Sequence, residues 1–195
     1  LQTITNDSMI KLKEIMDRRI NGLGVSEPVI QISGTDRLII EIPGVKDAEE
    51  AIKLIGKTAL LEFKLVREDG SLGDAVLTGK SLVKSDVTYD NMGKPQIAFE
   101  LNAEGAQIFA SVTRENRGRQ LAIVLDGEVQ TSPKIESEIP GGRGVITGNY
   151  TTDEAKKMST LLNAGALPVK VEILETRTVG PTLGKESIEA SIKAG

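Results

Sequence analysis

The sequence contains no cysteine, no histidine and no tryptophan, and its 195 residues include only 2 tyrosines and 3 phenylalanines. Without cysteine it can form no disulfide, no iron–sulfur site and no thiol nucleophile. Without histidine it has no Ser-His-Asp triad, no imidazole base and no ordinary zinc site. An enzyme built on this chain would have to depend on carboxylates, lysine, serine or a metal bound by oxygen.

Long apolar runs and an excess of positive charge are missing as well. No stretch approaches the roughly 20 apolar residues that a membrane helix needs. The 24 basic and 28 acidic side chains give a net charge of −4, which, like the shortage of aromatic rings, disfavours nucleic-acid binding. The remaining composition is that of a globular domain. The chain begins at Leu1 without a basic leader, so we expect a piece of a longer protein and no signal peptide.

The first 66 residues predict the element order α-β-β-α-β. Apolar residues at three- and four-residue spacing predict a helix over about 8–21 that buries one stripe. The elements that follow are strands over 29–32 and 37–42 joined by a turn, a short helix over about 48–56 and a strand over 58–66. A further strand over 1–4 would complete a β-α-β-β-α-β unit.

A loop-rich stretch punctuated by Gly70, Gly73 and Gly79 comes next, and the same order then recurs. The predicted elements are a strand over 95–101, a helix capped by Asn102 and ending near 115, strands over 120–125 and 128–136 joined by Asp126-Gly127, a helix from the Thr151 capping box to about 164, and a long strand over 168–179. The fold class is therefore α+β, with two ferredoxin-like or split β-α-β lobes and mainly antiparallel sheets.

Two glycine-rich segments resemble anion-binding loops but depart from them. The segment over 180–186 has three residues between its glycines, and Glu186 stands where a P-loop requires serine or threonine after the lysine. We read this segment as a Gly-Pro hinge. The GGRG segment over 141–144 could cradle an anion, but we read it as a flexible hairpin tip.

The remaining candidates for chemistry are weak. Ser81 has Lys80 and Lys84 nearby in the sequence, a proximity that arises by chance in most chains. Basic residues of the first helix, including Arg18 and Arg19, predict a solvated face. The carboxylates fall at helix starts and turns. We therefore expect no catalytic residue, no bound cofactor and no metal site.

Sheet edges are the feature that could support binding. An extended polypeptide can add to an open edge as a further strand, through main-chain hydrogen bonds that read no sequence. With so few aromatic residues such a contact would be weak and tolerant. The alternative is that each edge is covered by the neighbouring lobe, and the sequence leaves both open.

An ordered set of short motifs extends from about residue 17 to the C-terminus. They are RRINGLGVSEP at 18–28, PGV at 43–45, IGKTALLEF at 55–63, LTG at 77–79, AIVLDG at 122–127, SP at 132–133, ITG at 146–148, GALPV at 165–169 and VGPTLG at 179–184. The residues that mark them are Arg19, Asn21, Gly24, Pro28, Pro43, Gly44, Asp126, Gly127, Pro133, Gly165, Pro168, Gly180, Pro181 and Gly184. As an ordered set, these motifs resemble the SecD family of bacterial protein-export subunits.

The resemblance implies that the chain is the first large extracytoplasmic loop of a multi-span membrane protein, without its flanking membrane helices. The family's loop has a membrane-proximal base and a mobile head. Mapped here, residues 1–68 and 165–195 form the base lobe and residues 69–164 the head lobe. On this mapping the strand over 168–179 returns to the base, whereas the repeat of element order keeps it in the second unit. As a physical expectation, Gly70, Gly73 and Gly79 on one connection, with Gly165 and Pro168 on the other, are hinge candidates.

The family's task implies the function. SecD acts with SecF, separate or fused, and with the SecY-SecE-SecG channel, and uses the proton-motive force to help unfolded preproteins complete translocation. The chain would be a non-enzymatic domain on the outer face of the cell membrane that holds the emerging polypeptide. The alternatives are a small-ligand-binding or enzymatic split-sandwich domain, and a scaffold that contacts only SecF or SecY.

Overall fold

A computed structural model of the protein describes residues 4–25, 27–44 and 47–177. Within these ranges helices pack against antiparallel sheets, which confirms the α+β class. The helices are α1 Asn6–Gly22, α2 Ala48–Gly56, α3 Ala103–Glu115 and α4 Thr152–Ala164. The strands are β1 Val29–Ser33, β2 Arg37–Glu41, β3 Leu61–Val66, β4 Leu72–Thr78, β5 Leu82–Tyr89, β6 Pro95–Leu101, β7 Leu121–Leu125, β8 Glu128–Thr131 and β9 Arg143–Ile146. A short 3₁₀ helix, Gly79–Ser81, precedes β5.

Capping residues fix the helix starts. The Thr151 hydroxyl accepts the backbone N–H of Glu154 at 3.2 Å, and the Glu154 carboxylate accepts the backbone N–H of Thr151 at 2.8 Å, which forms the predicted capping box of α4. Asn102 caps α3 as predicted. Helix α1 begins slightly earlier than predicted because Thr5 accepts the backbone N–H of Ser8.

The strands of the described ranges form three antiparallel sheets with the orders β1-β2, β4-β3-β7-β8 and β5-β6-β9. The predicted Asp126-Gly127 turn joins β7 to β8, and both residues have positive φ, at 51° and 85°. Strand β3 lies between β4 and β7. The predicted boundary at residue 68 therefore cuts a sheet that β3 shares with strands of the predicted head lobe.

The predicted loop over 70–79 is wrong, because most of it is β4, which pairs with the edge of β3. Strand β5 was also missing from the prediction. The GGRG segment is not a hairpin tip either: β9 begins at Arg143 and pairs with β6. A β-carbon on Gly144 would lie 2.5 Å from the ring of Phe99, so this strand needs glycine in order to pass the aromatic ring.

The predicted long strand over 168–179 is wrong in its described part, because residues 168–177 form no strand. Residues 178–179 lie outside the described ranges. The second β-α-β-β-α-β repeat is thus replaced by the order β6-α3-β7-β8-β9-α4. After α4 the chain instead packs beside α1, where Leu167 and Val169 are buried. In packing, this segment goes with the first unit and not the second.

The described residues bury three separate apolar clusters. The aromatic core is formed by strands of the larger sheets with α3 and α4, and it contains Phe63, Phe99 and Phe109. The α1 core joins α1, the inner face of the β1–β2 ribbon, Ile55 of α2 and the segment after α4. The bridging cluster between them consists of Leu54, Ala59 and Leu161, with Leu23 packed against it.

Candidate functional site

The junction between the aromatic core and the α1 core is built around one buried side chain, Arg19. It projects from the last turn of α1 and is fully buried. Its Nη1 donates to the backbone oxygens of Ile55, at 2.7 Å, and Lys57. Its Nη2 donates to Thr58 O at 3.3 Å and to Gly165 O at 3.0 Å. The chain passes between the two cores twice, through residues 57–60 (the first crossing) and through residues 165–168 (the second crossing). One guanidinium therefore holds both crossings.

Three of the four carbonyls that accept hydrogen bonds from Arg19 come from helix ends. Ile55 is in the last turn of α2 and Lys57 directly follows that helix, while Gly165 is the C-cap of α4. Backbone carbonyls at helix C-termini lack intrahelical donors and carry a partial negative charge. The guanidinium satisfies these carbonyls and offsets their charge at two helix ends at once.

Burial lowers the pKa of the Arg19 guanidinium to about 10, and the negative charge of Asp126 raises it in part. Arg19 therefore remains charged at neutral pH. Among the described residues no carboxylate lies within salt-bridge distance of it, and its Nε is buried without a hydrogen-bond partner. Backbone carbonyls, and not an ion pair, hold this charge.

Asp126 holds the other side of the first crossing. Its carboxylate accepts the backbone N–H groups of Ala59 and Leu60 at 3.0 and 2.8 Å, and its own N–H donates to Leu60 O at 3.0 Å. Ala59 has a φ of 56°, a left-handed conformation that is costly for a non-glycine residue. The crossing segment over 57–60 is thus fixed by Arg19 from α1 and by Asp126 from the β7–β8 turn. The second crossing is tied to it, because Leu167 N–H donates to Thr58 O at 2.9 Å.

Helices α1 and α4 also meet at the junction. A β-carbon built at Gly22 would overlap the methyl group of Thr160 and lie 3.5 Å from its Cβ. Glycine is therefore needed at the end of α1 so that the two helices can approach. The bridging cluster and Ala164, which ends α4 and is buried in the α1 core, add to this direct packing of α1 against α4.

The structure places the hinge candidates in two different regions. Gly70 lies in the turn of the β3–β4 hairpin, Gly73 lies within β4, and Gly79 lies in the 3₁₀ helix beside Leu61. These glycines lie within or next to the β3–β4 hairpin, and their role as hinges stays a prediction. Gly165 and Pro168 do lie on the second crossing. Residues 57–60 form the first crossing, which the sequence did not indicate as a hinge.

The other motif residues mostly lie at element ends. Asn21 and Gly24 end α1 through a backbone hydrogen bond of 2.9 Å, and Pro133 O accepts the N–H of Leu121 at 3.0 Å. Pro28 precedes β1, and Pro43 and Gly44 follow β2. Gly180, Pro181 and Gly184, with the P-loop-like segment, lie outside the described residues.

Arg19 is where the interpretation of the sequence fails most clearly. The prediction assigned it to a solvated basic face, yet it is fully buried, whereas its neighbour Arg18 is exposed. The spacing contained the signal, because Arg19 follows Leu12 and Met16 at seven and three residues and so lies on the buried stripe of α1.

The Ser-Lys hypothesis finds no geometric support. Lys84 Nζ is 2.6 Å from the Asp86 carboxylate, and this hydrogen bond, with the charge of Asp86, raises the pKa of Lys84. A catalytic base needs a lowered lysine pKa instead. The described part of the chain holds no group of three acidic side chains placed to bind a metal. None of its helices is long and apolar enough to span a bilayer.

An open groove of about 450 Å³ lies at the end of the β5–β6 hairpin, between that hairpin, β8 and the loop after β9. Its lining includes Met92, Pro95 and Gln130. Tyr150 O–H donates to Gln130 Oε1 at 3.2 Å, and this bond ties the loop after β9 to the edge of β8. The groove is shallow and of mixed polarity, and it does not enclose a small molecule.

The edge of β5 is covered at Ser85. The side-chain amide of Asn163, on α4, accepts Ser85 N–H at 2.7 Å and donates to Ser85 O at 2.8 Å. Ser159 also donates to Ser85 O at 2.8 Å. Helix α4 therefore replaces a neighbouring strand at this point, and strand addition cannot occur there.

Comparisons with known proteins cover nearly the whole chain. The family model of the SecDF P1 head subdomain matches residues 63–169, and that of the N-terminal part of the P1 domain of protein translocase subunit SecDF matches residues 9–68. Protein translocase subunit SecD of Sebaldella termitidis is 57% identical over 95% of this chain and 46% of its own length. The SecD of Leptotrichia buccalis is 51% identical over 98% of this chain and 48% of its own length. The chain thus spans about half the length of these curated relatives.

Solved structures agree with these relatives. A structure described as a membrane component SecDF that enhances protein export is 36% identical, with a TM-score of 0.84, over 92% of this chain and 96% of that chain. SecDF in a super-membrane-facing form is 37% identical, with a TM-score of 0.86, over 99% of this chain and 31% of that chain.

Proposed function

The chain belongs to the SecDF P1 family, and from this membership we propose that it is the extracytoplasmic domain of a SecD protein that assists Sec-dependent preprotein translocation. In this proposal the domain binds the emerging polypeptide and moves a head lobe against a base lobe. The proton-motive force drives that movement in the whole protein, through membrane helices outside this chain.

The junction at Arg19 is the observation that carries the proposal. The aromatic core and the α1 core are separate, and two short crossings connect them. Hydrogen bonds to one guanidinium fix these crossings, together with a small bridging cluster. Such a junction has a resting geometry defined by a few hydrogen bonds and a small apolar cluster, which suits a hinge between rigid bodies.

We propose a lobe boundary that differs from the one at residue 68. Strand β3 hydrogen-bonds to β4 and β7, so it would move with the head. The first hinge is then residues 57–60 and not the glycines of the β3–β4 hairpin. The second hinge remains at Gly165, and the chain after it rejoins the base through Leu167 and Val169.

The client would be held by the head, in an extended conformation and without sequence specificity. The groove beside Met92 is open and its lining mixes polar and apolar atoms, which suits a passing main chain better than a rigid ligand. Met92 is 78% exposed, and methionine adapts to many partners. The absence of Trp from the whole chain agrees with weak contacts.

The proposed partners are SecF, the SecY-SecE-SecG channel and unfolded preprotein, with the domain on the outer face of the membrane. SecF association has support from the fused SecDF relative of Thermus thermophilus, which is 38% identical. We propose no enzymatic activity. The alternative of a ligand-binding enzyme has less support, because the carboxylate of Asp90 in the groove is engaged by the backbone N–H groups of Met92 and Lys94.

A disulfide that joins α1 to α4 tests the lobe movement. The 3.5 Å between a β-carbon at Gly22 and Cβ of Thr160 is at the short end of the roughly 3.5–4.5 Å range of disulfides. We expect full-length protein with Gly22→Cys and Thr160→Cys to lose its stimulation of preprotein export when oxidised, and to regain it when reduced. A matched control replaces Glu100 and Arg143, which face each other on β6 and β9 within the head and outside the groove lining, and should export normally when oxidised. Normal export by the fully oxidised Gly22–Thr160 pair would contradict the proposal.

Photo-crosslinking tests client binding independently. A photoreactive residue at Met92 of full-length protein should crosslink to a preprotein arrested during translocation. The control is Ile39, which is 50% exposed on the β1–β2 ribbon of the base. Equal crosslinking from both positions would contradict binding by the head, and crosslinks to membrane subunits alone would favour a scaffold role.

A further inference from the structure

Three helix C-termini converge at one buried cation. Arg19 lies in the last turn of α1, its Nη1 serves the end of α2, and its Nη2 serves the C-cap of α4. Helix C-termini carry partial negative charge and repel one another when they are brought together away from water. Without a cation between them, the ends of α2 and α4 would be both unsatisfied and mutually repulsive.

We propose that Arg19 is the positioning residue that sets the resting orientation of the two lobes, an inference that rests on the division into two lobes proposed above. It acts through hydrogen bonds to the two crossings and touches neither client nor channel. Its two terminal nitrogens bond to different elements. Nη1 bonds to carbonyls at the end of α2, within the base, and Nη2 bonds to Gly165 O on the side of α4.

The planar fork of arginine is essential to this arrangement. A guanidinium presents donors in fixed directions and can bridge two groups, whereas a lysine ammonium is a single point of charge on a flexible stem. Lysine at position 19 could keep the charge but would not satisfy Ile55 O and Gly165 O together. Charge and geometry can therefore be separated by substitution.

The bonds of Nη2 are the longer set. The Nη2 bonds to Thr58 O and Gly165 O measure 3.3 and 3.0 Å, whereas the Nη1 bond to Ile55 O measures 2.7 Å and Nη1 also bonds to Lys57 O. Lys57 and Thr58 lie in the same crossing, so Gly165 O is the acceptor on the side of α4. No carboxylate in the described part of the chain forms a salt bridge with Arg19 that would fix it further. We therefore expect a head movement to break the bond to Gly165 O, while Arg19, as a residue of α1, stays with the base.

Distances between spin labels in full-length protein test this role. One label replaces exposed Lys13 on α1 and the other replaces exposed Glu104 on α3, so that the pair spans the two lobes. In the idle wild-type protein we expect a narrow distance distribution. Arg19→Met should at least double its width, and Arg19→Lys should give an intermediate width.

Matched controls separate positioning from folding. Arg18→Met removes the same charge from the adjacent exposed position and should leave the inter-lobe distribution unchanged. Label pairs within one lobe, Lys13 with Glu41 and Glu104 with Glu128, should stay narrow in every variant. A merely structural role for Arg19 would broaden these pairs too.

Several results would overturn the inference. The first is an inter-lobe distance distribution that stays narrow in folded Arg19→Met, and the second is a distribution that is already broad in the wild-type protein. The third is broadening of the distributions of the intra-lobe pairs to the same degree. The fourth is failure of both Arg19→Met and Arg19→Lys to accumulate as folded protein. The lobe-movement proposal fails separately, if export survives the oxidised Gly22–Thr160 pair. Arg19 could then still fix the orientation of two lobes that do not need to move.

Discussion

The aromatic core and the α1 core differ in the kind of side chains that fill them. The aromatic core contains Phe63, Phe99 and Phe109 in mutual edge-to-face contact, with centroids 5.4 to 6.1 Å apart. The α1 core contains no aromatic ring and includes the flexible side chains of Met9 and Met16. Rigid rings specify one packing, whereas methionine tolerates several. We infer that the aromatic core is the more rigid of the two and that the α1 core adapts more readily.

The sheets that belong to the two cores also differ, in how many strands support one another. Within the described residues the α1 core includes only the β1–β2 ribbon, and an isolated ribbon of this kind is marginally stable in water. It depends on α1, against which Ile30 is buried and Leu38 and Ile40 pack. The aromatic core is covered by sheets of four and three strands in the described ranges. This contrast predicts that the regions around the two cores unfold separately.

The largest loss of stability is expected from a substitution in the aromatic core. Phe63 is fully buried at the centre of the ring cluster, and Phe63→Ala should cost about 3–5 kcal/mol. Native-state hydrogen exchange of the purified domain should show lost protection in β7 and little change in α1. Ile20→Ala, at an equally buried position in the α1 core, should give the reverse pattern. Equal loss in both lobes from either variant would contradict separate cores.

A smaller effect is expected where the lobes touch. Gly22→Ala places a methyl group against Thr160, and such overpacking should cost about 1–3 kcal/mol in urea unfolding. In a Thr160→Ser background, which removes the opposing methyl group, the sign should reverse, because alanine favours a helix over glycine by up to about 1 kcal/mol. If Gly22→Ala costs the same in both backgrounds, the close approach of α1 to α4 does not exist.

Loss of the contact that covers the edge of β5 should lower the stability somewhat less. Asn163→Ala leaves the N–H of Ser85 unpaired, and Ser85 is only 1% exposed, so we expect a loss of about 1–2 kcal/mol. Asn21→Ala, which removes an exposed hydrogen bond to Asp17, should stay within about 0.5 kcal/mol of wild type. Similar small effects from both variants would mean that α4 does not close this edge.

The smallest effect concerns the capping box of α4. Hydrogen bonds from Thr151 lower the pKa of the exposed Glu154 carboxylate. A carboxylate with a lowered folded pKa stabilises the protein above its unfolded pKa and loses that effect as the pH falls through the folded value. The small advantage of wild type over Glu154→Gln in thermal unfolding should therefore exist at neutral pH and disappear in acid. An advantage that is independent of pH would contradict this origin.

Features that depend on neighbouring residues in the sequence could be predicted, and features that depend on distant partners could not. The capping residues Asn102 and Thr151 and the Asp126-Gly127 turn act within a few residues of themselves, and each prediction is confirmed. Strand β4 contains Gly73 and Asp74, which are poor strand formers, and it exists because the edge of β3 offers a partner. Its sequence alone favours a loop.

The opposite error occurs after α4. The alternation of Val169, Val171 and Ile173 is typical of a strand, yet in the structure the burial decreases along this segment and Ile173 is 57% exposed. Period-two alternation shows which side chains can share a face, but it does not provide a strand to pair with.

The junction was only half predictable. The motif resemblance selected Arg19, Asp126 and Gly165. The structure brings all three to the junction, although Arg19 and Gly165 are 146 residues apart in the sequence. The residues held between them, 57–60, lie within the IGKTALLEF motif, but they take part in the junction through backbone groups. A junction made of main-chain carbonyls and N–H groups therefore cannot be recognised from side-chain patterns, even when the side chains that hold it are recognised.

The most direct test of the account is the distance between labels at Lys13 and Glu104 in full-length wild-type protein, measured while a preprotein is being exported under a proton-motive force and again when the protein is idle. The account predicts that this distance shifts during export, while the distance between Glu104 and Glu128 within the head stays constant. An identical inter-lobe distance in both states would contradict a head that moves about the Arg19 junction.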